Sequence, residues 1–535
     1  MQTNHQKHDV QQVLQIMQCM IALIGRSVVA ADNAVAAAGT PGRTLAETGR
    51  EVRDLVLGPQ HKSLPPAAWG LTVREYLATA PHLDDLQTPV LTMDRSALDT
   101  NRAVMADWAR AAGVRLAPHG KTTMSPQLWQ EQLDAGSWAI TLATGWQVQV
   151  GRSLGLTRIL LANALLDPIA LRWAAAEIAR DPNFELYSWV DGVDSVHEME
   201  RHLESAPDGV KLNVIVELGG PHGRTGARGL AAAHEVADAV DKSPRLRLAG
   251  VGGYEGALAH DRTPEALAAV RHYLDQVAIL HQELAAAGRY DEFIEQPDTA
   301  QSATAGAGLR ESVFGGHGGP GTGGLSEAAV GAVGGSAAGS ASSRDVSQRG
   351  GRAAIVTAGG SAYPDLVVER LAGLADEEGA HGVPTAVVLR SGAYLVHDDG
   401  FYSGISPLAA GHAERPLRSA MHGWARSVSR PEAELALLDA GKRDFPFDEG
   451  LPVPQLVAGP ASTALPDGAH VSALNDQHTF LRLPGASGAD VPVGSVVRLG
   501  LSHPCTAFDK WRLIPVIDDA EAERPRVVGF LPTYF

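Results

Sequence analysis

Val114-Arg115-Leu116-Ala117-Pro118-His119-Gly120-Lys121-Thr122-Thr123 runs from a short apolar stretch into a Gly-Lys turn, just after an amphipathic, helix-patterned segment. A parallel barrel displays its reactive side chains at such a place, because the C-terminal ends of its strands open onto the face that carries chemistry. A lysine there is a candidate amine nucleophile. Its position alone leaves the plainer alternative of a surface lysine open.

Outward from this stretch the pattern repeats. Apolar, β-branched runs occur at residues 114–118, 138–143, 158–163, 185–191, 211–218, 246–254, 353–357 and 385–390. Helix-patterned segments lie between them, among them 168–180, 193–203, 230–241 and 264–287. This alternation predicts a parallel sheet with crossover helices. Eight such runs predict an α/β chain built on a (β/α)8 TIM-type barrel, with an open doubly wound sheet as the alternative. After about residue 392 prolines and glycines become frequent. Short β-like runs appear at 433–438, 471–473, 479–483, 495–499 and 512–516, which predicts a compact all-β domain. The expected division is a poorly ordered extension over 1–43, a barrel over 44–400 and a β domain over 401–535. The early run Val90–Asp94 fits a barrel strand or a crossover into the β domain.

One segment interrupts the rhythm. Residues 296–350 turn into Gly, Ala and Ser, as in Gly315-Gly316-His317-Gly318-Gly319-Pro320-Gly321. Such composition predicts a disordered insert. It has no lysine and no adjoining strand-to-helix pattern, which argues against a phosphate cradle. It follows a helix and precedes a strand, so it is expected on the bottom face of the barrel, where deletion is tolerated.

The 535 residues suffice for a barrel plus a second unit, and 44% hydrophobic content supports a core. A net charge of −17 disfavours nucleic acid and anionic membranes as partners. Two cysteines, Cys19 and Cys505, are too few for a disulfide framework and point to a reducing, cytoplasmic setting. The apolar run at 13–24 falls short of the ~20 residues a spanning helix needs. It makes a weak signal peptide and is read as a non-functional extension or a mis-chosen start.

Five places carry candidate chemistry. Lys121 is suited to a Schiff base with pyridoxal phosphate, whose ring then acts as an electron sink. A strand runs straight into Gly359-Gly360-Ser361, where close-approaching N–H groups and a hydroxyl suit a phosphate; a plain turn is the alternative. Arg224, in a glycine-rich turn, either faces a ring oxygen or a carboxylate, or braces its loop. Tyr254 ends the next strand and is a candidate cofactor-binding residue, as is Arg224. His503 and Cys505 stand two apart, so on an extended strand they would share a face; both are Zn²⁺ ligand types, and Cys505 as an inert buried thiol is the alternative.

Together the chain resembles the fold-type III pyridoxal-phosphate enzymes, an alanine racemase-like barrel joined to a D-serine dehydratase-like C-terminal domain. That family includes D-serine dehydratases and D-threonine aldolases. The resemblance rests on Thr88-Pro89-Val90, Pro118-His119-Gly120-Lys121-Thr122, residues 217–226, Tyr254-Glu255-Gly256, residues 357–361, Arg390-Ser391-Gly392-Ala393-Tyr394 with Asp398, Asp439-Ala440-Gly441, Gln477-His478 and His503-Pro504-Cys505. It implies that Lys121 carries the cofactor, that Gly359, Gly360 and Ser361 hold its phosphate, and that His503 and Cys505 hold zinc. It also implies a homodimer. In the aldolase branch the second metal ligand is usually aspartate, so Cys505 tilts the expectation toward a lyase that dehydrates and deaminates a β-hydroxy D-amino acid to a 2-oxo acid and ammonia. A D-threonine aldolase is the near alternative and a non-catalytic pyridoxal-phosphate carrier the distant one. The family commonly has valine where Gly120 stands and glutamate where Gln477 stands.

Overall fold

The computed structural model describes residues 44–220, 223–295, 352–375, 382–459, 462–485 and 490–535. The expected extension at 1–43 and the insert at 296–350 lie outside the described residues.

In chain order the strands begin with β1 (Val90–Asp94), β2 (Arg115–Leu116), β3 (Ile140–Leu142), β4 (Arg158–Ala164), β5 (Glu185–Val190) and β6 (Leu212–Gly219). They continue with the short β7 (Ala227–Arg228), then β8 (Leu246–Gly253), β9 (Ala354–Ala358) and β10 (Thr385–Leu389). A parallel sheet runs in the order β2-β10-β9-β8-β6-β5-β4-β3. Its two ends meet. His119 and Thr141 form a parallel bridge. The Trp138 N–H donates to the Leu116 carbonyl at 2.7 Å, and the Thr141 N–H donates to the Pro118 carbonyl at 2.8 Å. The sheet is therefore a closed eight-stranded barrel, and the open-sheet alternative falls.

Side chains alternate along each strand, so every second residue enters the barrel. Ala117, Leu160, Tyr187, Trp189, Ile215, Ile355, Ala386 and Val388 fill its middle. At the bottom, the Glu185 carboxylate takes Arg158 at 2.5 Å and Arg352 at 2.9 Å. At the top, the same alternation brings His119, Glu217, Thr357 and Arg390 inward. The Arg390 guanidinium donates to Thr357 Oγ1 at 2.8 Å and to the Gly253 carbonyl at 2.5 Å, and lies 5.0 Å from the Trp189 ring centroid. This polar layer is the floor of the barrel mouth.

The remaining strands are β11 (Met421–Glu432), β12 (Leu435–Leu438), β13 (Val453–Ala458), β14 (Thr463–Ala464), β15 (His470–Leu474), β16 (Thr479–Arg482), β17 (Val496–Gly500), β18 (Leu513–Ile517) and β19 (Val527–Pro532). They form a second, mixed sheet with the main order β14-β13-β17-β11-β1-β18-β19. β1 pairs antiparallel with β11 and parallel with β18, so Val90–Asp94 joins this sheet and no barrel strand. Asp94 then ends the strand and caps the next helix, accepting from the Ala97 N–H at 2.9 Å. That helix, Arg95–Ala111, returns the chain to the barrel at β2.

Candidate active site

Lys121 lies in a single 3₁₀ turn, Gly120–Thr122, at the C-terminal end of β2. Gly120 is fixed by packing. A Cβ there would stand 2.5 Å from Ile140 Cγ2 and 2.6 Å from Trp129 Nε1. Trp129 also donates to the Gly120 carbonyl at 3.1 Å. In this chain Trp129 fills the space that a valine at 120 would need.

His119 precedes this turn. Burial, then the charges of Lys121, Arg390 and Arg224, hold its imidazole well below the usual range, so the ring is neutral. Its Nδ1 is buried without a hydrogen-bond partner among the described residues. Arg224 lies exposed on the rim, its guanidinium 5.0 Å from the Tyr254 ring centroid. Burial, then Glu255, raise the Tyr254 phenol above its ordinary value.

The glycine turn after β9 is already engaged. Glu255, fully buried, accepts from the Gly359 N–H at 3.0 Å and the Gly360 N–H at 2.6 Å. The Ser391 hydroxyl shares its one proton between the carbonyls of the same two glycines, at 3.2 and 3.1 Å. Ser361 Oγ accepts from the Ala393 N–H at 3.1 Å. Two of the three residues expected to hold a phosphate thus give their N–H groups to a carboxylate.

His503 and Cys505 meet, although not on an extended strand as expected. His503 has φ 52° and caps the short helix Pro504–Phe508. Proline at the first helical position favours this start. The left-handed residue and the helical turn bring imidazole and thiol together by a different route. Cys505 Sγ is hydrogen-bonded to Thr122 Oγ1 at 3.3 Å, beside Lys121. Burial raises the thiol, and His503, Thr122 and Lys121 more than offset it, leaving it below its ordinary value. The neighbouring thiol, opposed by burial and helped by Asp448, raises His503 to about 9.

Sequence reasoning missed Asp448. Its Oδ2 lies 2.5 Å from His503 Nδ1, and its Oδ1 accepts from Thr506 Oγ1 at 2.7 Å. With Nδ1 engaged, Nε2 is the nitrogen left for a metal, the arrangement by which a carboxylate orients a ligating histidine. Asp398 fixes the backbone, accepting from the His503 N–H at 3.1 Å. Nitrogen and sulfur donors suit Zn²⁺. Among the described residues the one compact trio of His, Cys, Asp or Glu ligand atoms is His82, Asp84 and Asp85, elsewhere. His503 and Cys505 thus stand as a pair of donor side chains, outside any such trio among the described residues. No helix among the described residues is long and apolar enough to cross a membrane.

Residues 420–517 match the family described as "Putative serine dehydratase domain". The chain is 23% identical over 441 residues to a D-threonine aldolase of Arthrobacter sp, covering 82% of this chain and 91% of that one. Its fold matches D-threo-3-hydroxyaspartate dehydratase from Delftia sp. HT23, with a TM-score of 0.57, 20% identity and coverage of 85% and 99%. Two further structures of a dehydratase so named carry alanine in place of a histidine and of a cysteine two positions apart, the cysteine variant in a metal-free form. An ala racemase-like protein from Idiomarina loihiensis matches with a TM-score of 0.57, 16% identity and coverage of 84% and 96%. The chain thus has an alanine racemase-like barrel and a serine dehydratase-type C-terminal domain.

Proposed function

We infer that this homologue of D-threonine aldolase and D-threo-3-hydroxyaspartate dehydratase, a D-amino acid lyase, dehydrates and deaminates a β-hydroxy D-amino acid with pyridoxal phosphate and Zn²⁺. The observation that carries the reading is the contact between the two halves of the chemistry. Cys505 Sγ sits 3.3 Å from Thr122 Oγ1, one residue from Lys121. The turn that carries Lys121 and a nitrogen–sulfur pair suited to a metal are therefore in contact at the barrel mouth.

The residues fit both groups. Lys121 supplies the attachment amine, Arg224 and Tyr254 line the rim, and the turn after β9 offers N–H donors beyond those Glu255 takes. Pyridoxal phosphate, when bound, withdraws electrons from the substrate Cα. Zn²⁺, when held by His503 and Cys505, is a Lewis acid toward the substrate β-hydroxyl. With pyridoxal phosphate bound, the Lys121 amine would be the base placed to take the Cα proton. Asp448 holds the His503 ring in place. Neutral His119 withholds a further positive charge from a mouth that already has Lys121, Arg390 and Arg224. The water lost at Cβ is regained on hydrolysis, so the net products are a 2-oxo acid and ammonia.

Retro-aldol cleavage is the second reading, favoured by the match to a D-threonine aldolase. The thiol at Cys505 favours dehydration, since the comparison dehydratase has a cysteine two residues after a histidine. The test is an assay of ammonia, 2-oxo acid and glycine from D-serine, D-threonine, 3-hydroxy-D-aspartate and their L-forms, before and after EDTA and zinc re-addition. Ammonia from D-forms, lost with EDTA and restored by zinc, supports the reading. Glycine without ammonia overturns it in favour of the aldolase.

A further inference from the structure

We propose that Glu255 and Ser391 are positioning residues that hold the turn after β9 so that its later N–H groups, those of Ser361 and Ala362, receive the cofactor phosphate. The proposal rests on the pyridoxal-phosphate reading above and reassigns the roles of Gly359 and Gly360 within it.

The Gly359–Gly360 segment is gripped on both sides. Glu255 takes both N–H groups, at 3.0 and 2.6 Å, and the single Ser391 hydroxyl proton is shared between the two carbonyls, at 3.2 and 3.1 Å. The approach is close enough to demand glycine. A Cβ on Gly360 would stand 2.9 Å from Tyr254 Cε2 and 3.3 Å from Glu255 Oε1, and Gly359 has φ 99°. A buried carboxylate with two N–H donors is a strong, charge-assisted contact. Arg390, in the floor below, feels the Glu255 charge and compensates part of it. A phosphate on the same two N–H groups would have to displace this carboxylate.

Beyond the grip the chain is different. Tyr363 closes a turn back onto Gly360, while the N–H groups of Ser361 and Ala362 have no acceptor among the described residues. Pro364 then opens the helix Pro364–Leu371, which lends its positive end to the same place. Gly359 and Gly360 are accordingly the anchored stem of the turn, and Ser361 and Ala362 are its donor face.

The test compares pyridoxal phosphate with unphosphorylated pyridoxal on cofactor-stripped protein, followed by absorbance titration. Removing the grip should loosen only the phosphorylated form. Glu255→Ala is expected to weaken pyridoxal phosphate by ~10–100-fold, about what two charge-assisted hydrogen bonds contribute, with pyridoxal changed less than ~2-fold. Glu255→Gln, with one acceptor oxygen for two N–H groups, should fall between. Ser391→Ala repeats the selectivity more weakly and serves if Glu255→Ala does not fold. Unchanged or tighter pyridoxal phosphate in Glu255→Ala overturns the proposal, since Glu255 would then compete for the phosphate site. Equal loss of both compounds also overturns it. Wild-type protein that holds the two compounds equally overturns the cofactor reading itself, and this proposal with it.

Discussion

The Cys505 thiol and the Thr122 hydroxyl are hydrogen-bonded at 3.3 Å, across 383 residues of sequence. One belongs to the C-terminal domain and the other to the turn that carries Lys121. Cys505→Ala is therefore expected to act on the metal half of the site and spare the cofactor half. Metal content by elemental analysis should fall, and ammonia release should drop by ~100-fold or more, the scale of a Lewis acid worth several kcal/mol. The visible absorbance of bound pyridoxal phosphate should persist. Loss of that absorbance together with the metal would show that the two halves are not separable.

Lys121→Ala is expected to do the reverse. Bound cofactor should no longer be fixed to the chain by borohydride, and turnover should fall by ~10²–10⁴-fold, the range of a positioned acid–base group. Zinc should remain. A Lys121→Ala protein that still gave a borohydride-fixed adduct would move the attachment to another lysine.

The barrel was legible because parallel strands buried on both faces read as continuous apolar runs. The eight runs found in the sequence are the eight barrel strands. Val90–Asp94 reads as a strand, but its partner β11 lies 330 residues downstream, so its sheet could not be read locally. β11, β13, β14 and β19 were missed, and β13 for a visible reason, since it contains Pro454 and is half-exposed. The His503/Cys505 pair was visible as spacing, and its backbone was misjudged. Pro504, which starts a helix, was the overlooked signal. Glu255 and Asp448 gave no signal as partners. Their contacts with Gly359 and His503 span 104 and 55 residues, and nothing in a single sequence orders such loops.

Asp448 engages His503 Nδ1 at 2.5 Å and has no other assigned part in the chemistry. Asp448→Asn keeps the shape and removes the charge that orients the ring. Zinc affinity, read by competition with a chromogenic chelator, is expected to fall by ~10–100-fold. Pyridoxal phosphate binding should not change. Unaltered zinc affinity would mean that Asp448 is only a surface partner of His503.

At the opposite end of the barrel, Glu185 lies between Arg158 at 2.5 Å and Arg352 at 2.9 Å, and Tyr187 donates to it at 3.0 Å. Burial pushes its carboxyl up, and the two guanidinium groups with Tyr187 more than reverse this, so the folded state holds it below its ordinary value. A lowered carboxyl contributes stability that is complete above the unfolded value, near 4.5, and is lost as pH falls through the folded value. Glu185→Gln removes the charge and leaves two buried guanidinium groups facing a neutral amide. It is expected to cost ~3 kcal/mol, the scale of breaking a buried ion pair from one side. Urea unfolding at pH 7 checks the magnitude. Repeating it from pH 5 downward checks the sign, since the gap between wild type and variant should narrow as acid protonates the wild-type carboxylate. A gap independent of pH would show that Glu185 acts there through packing rather than charge.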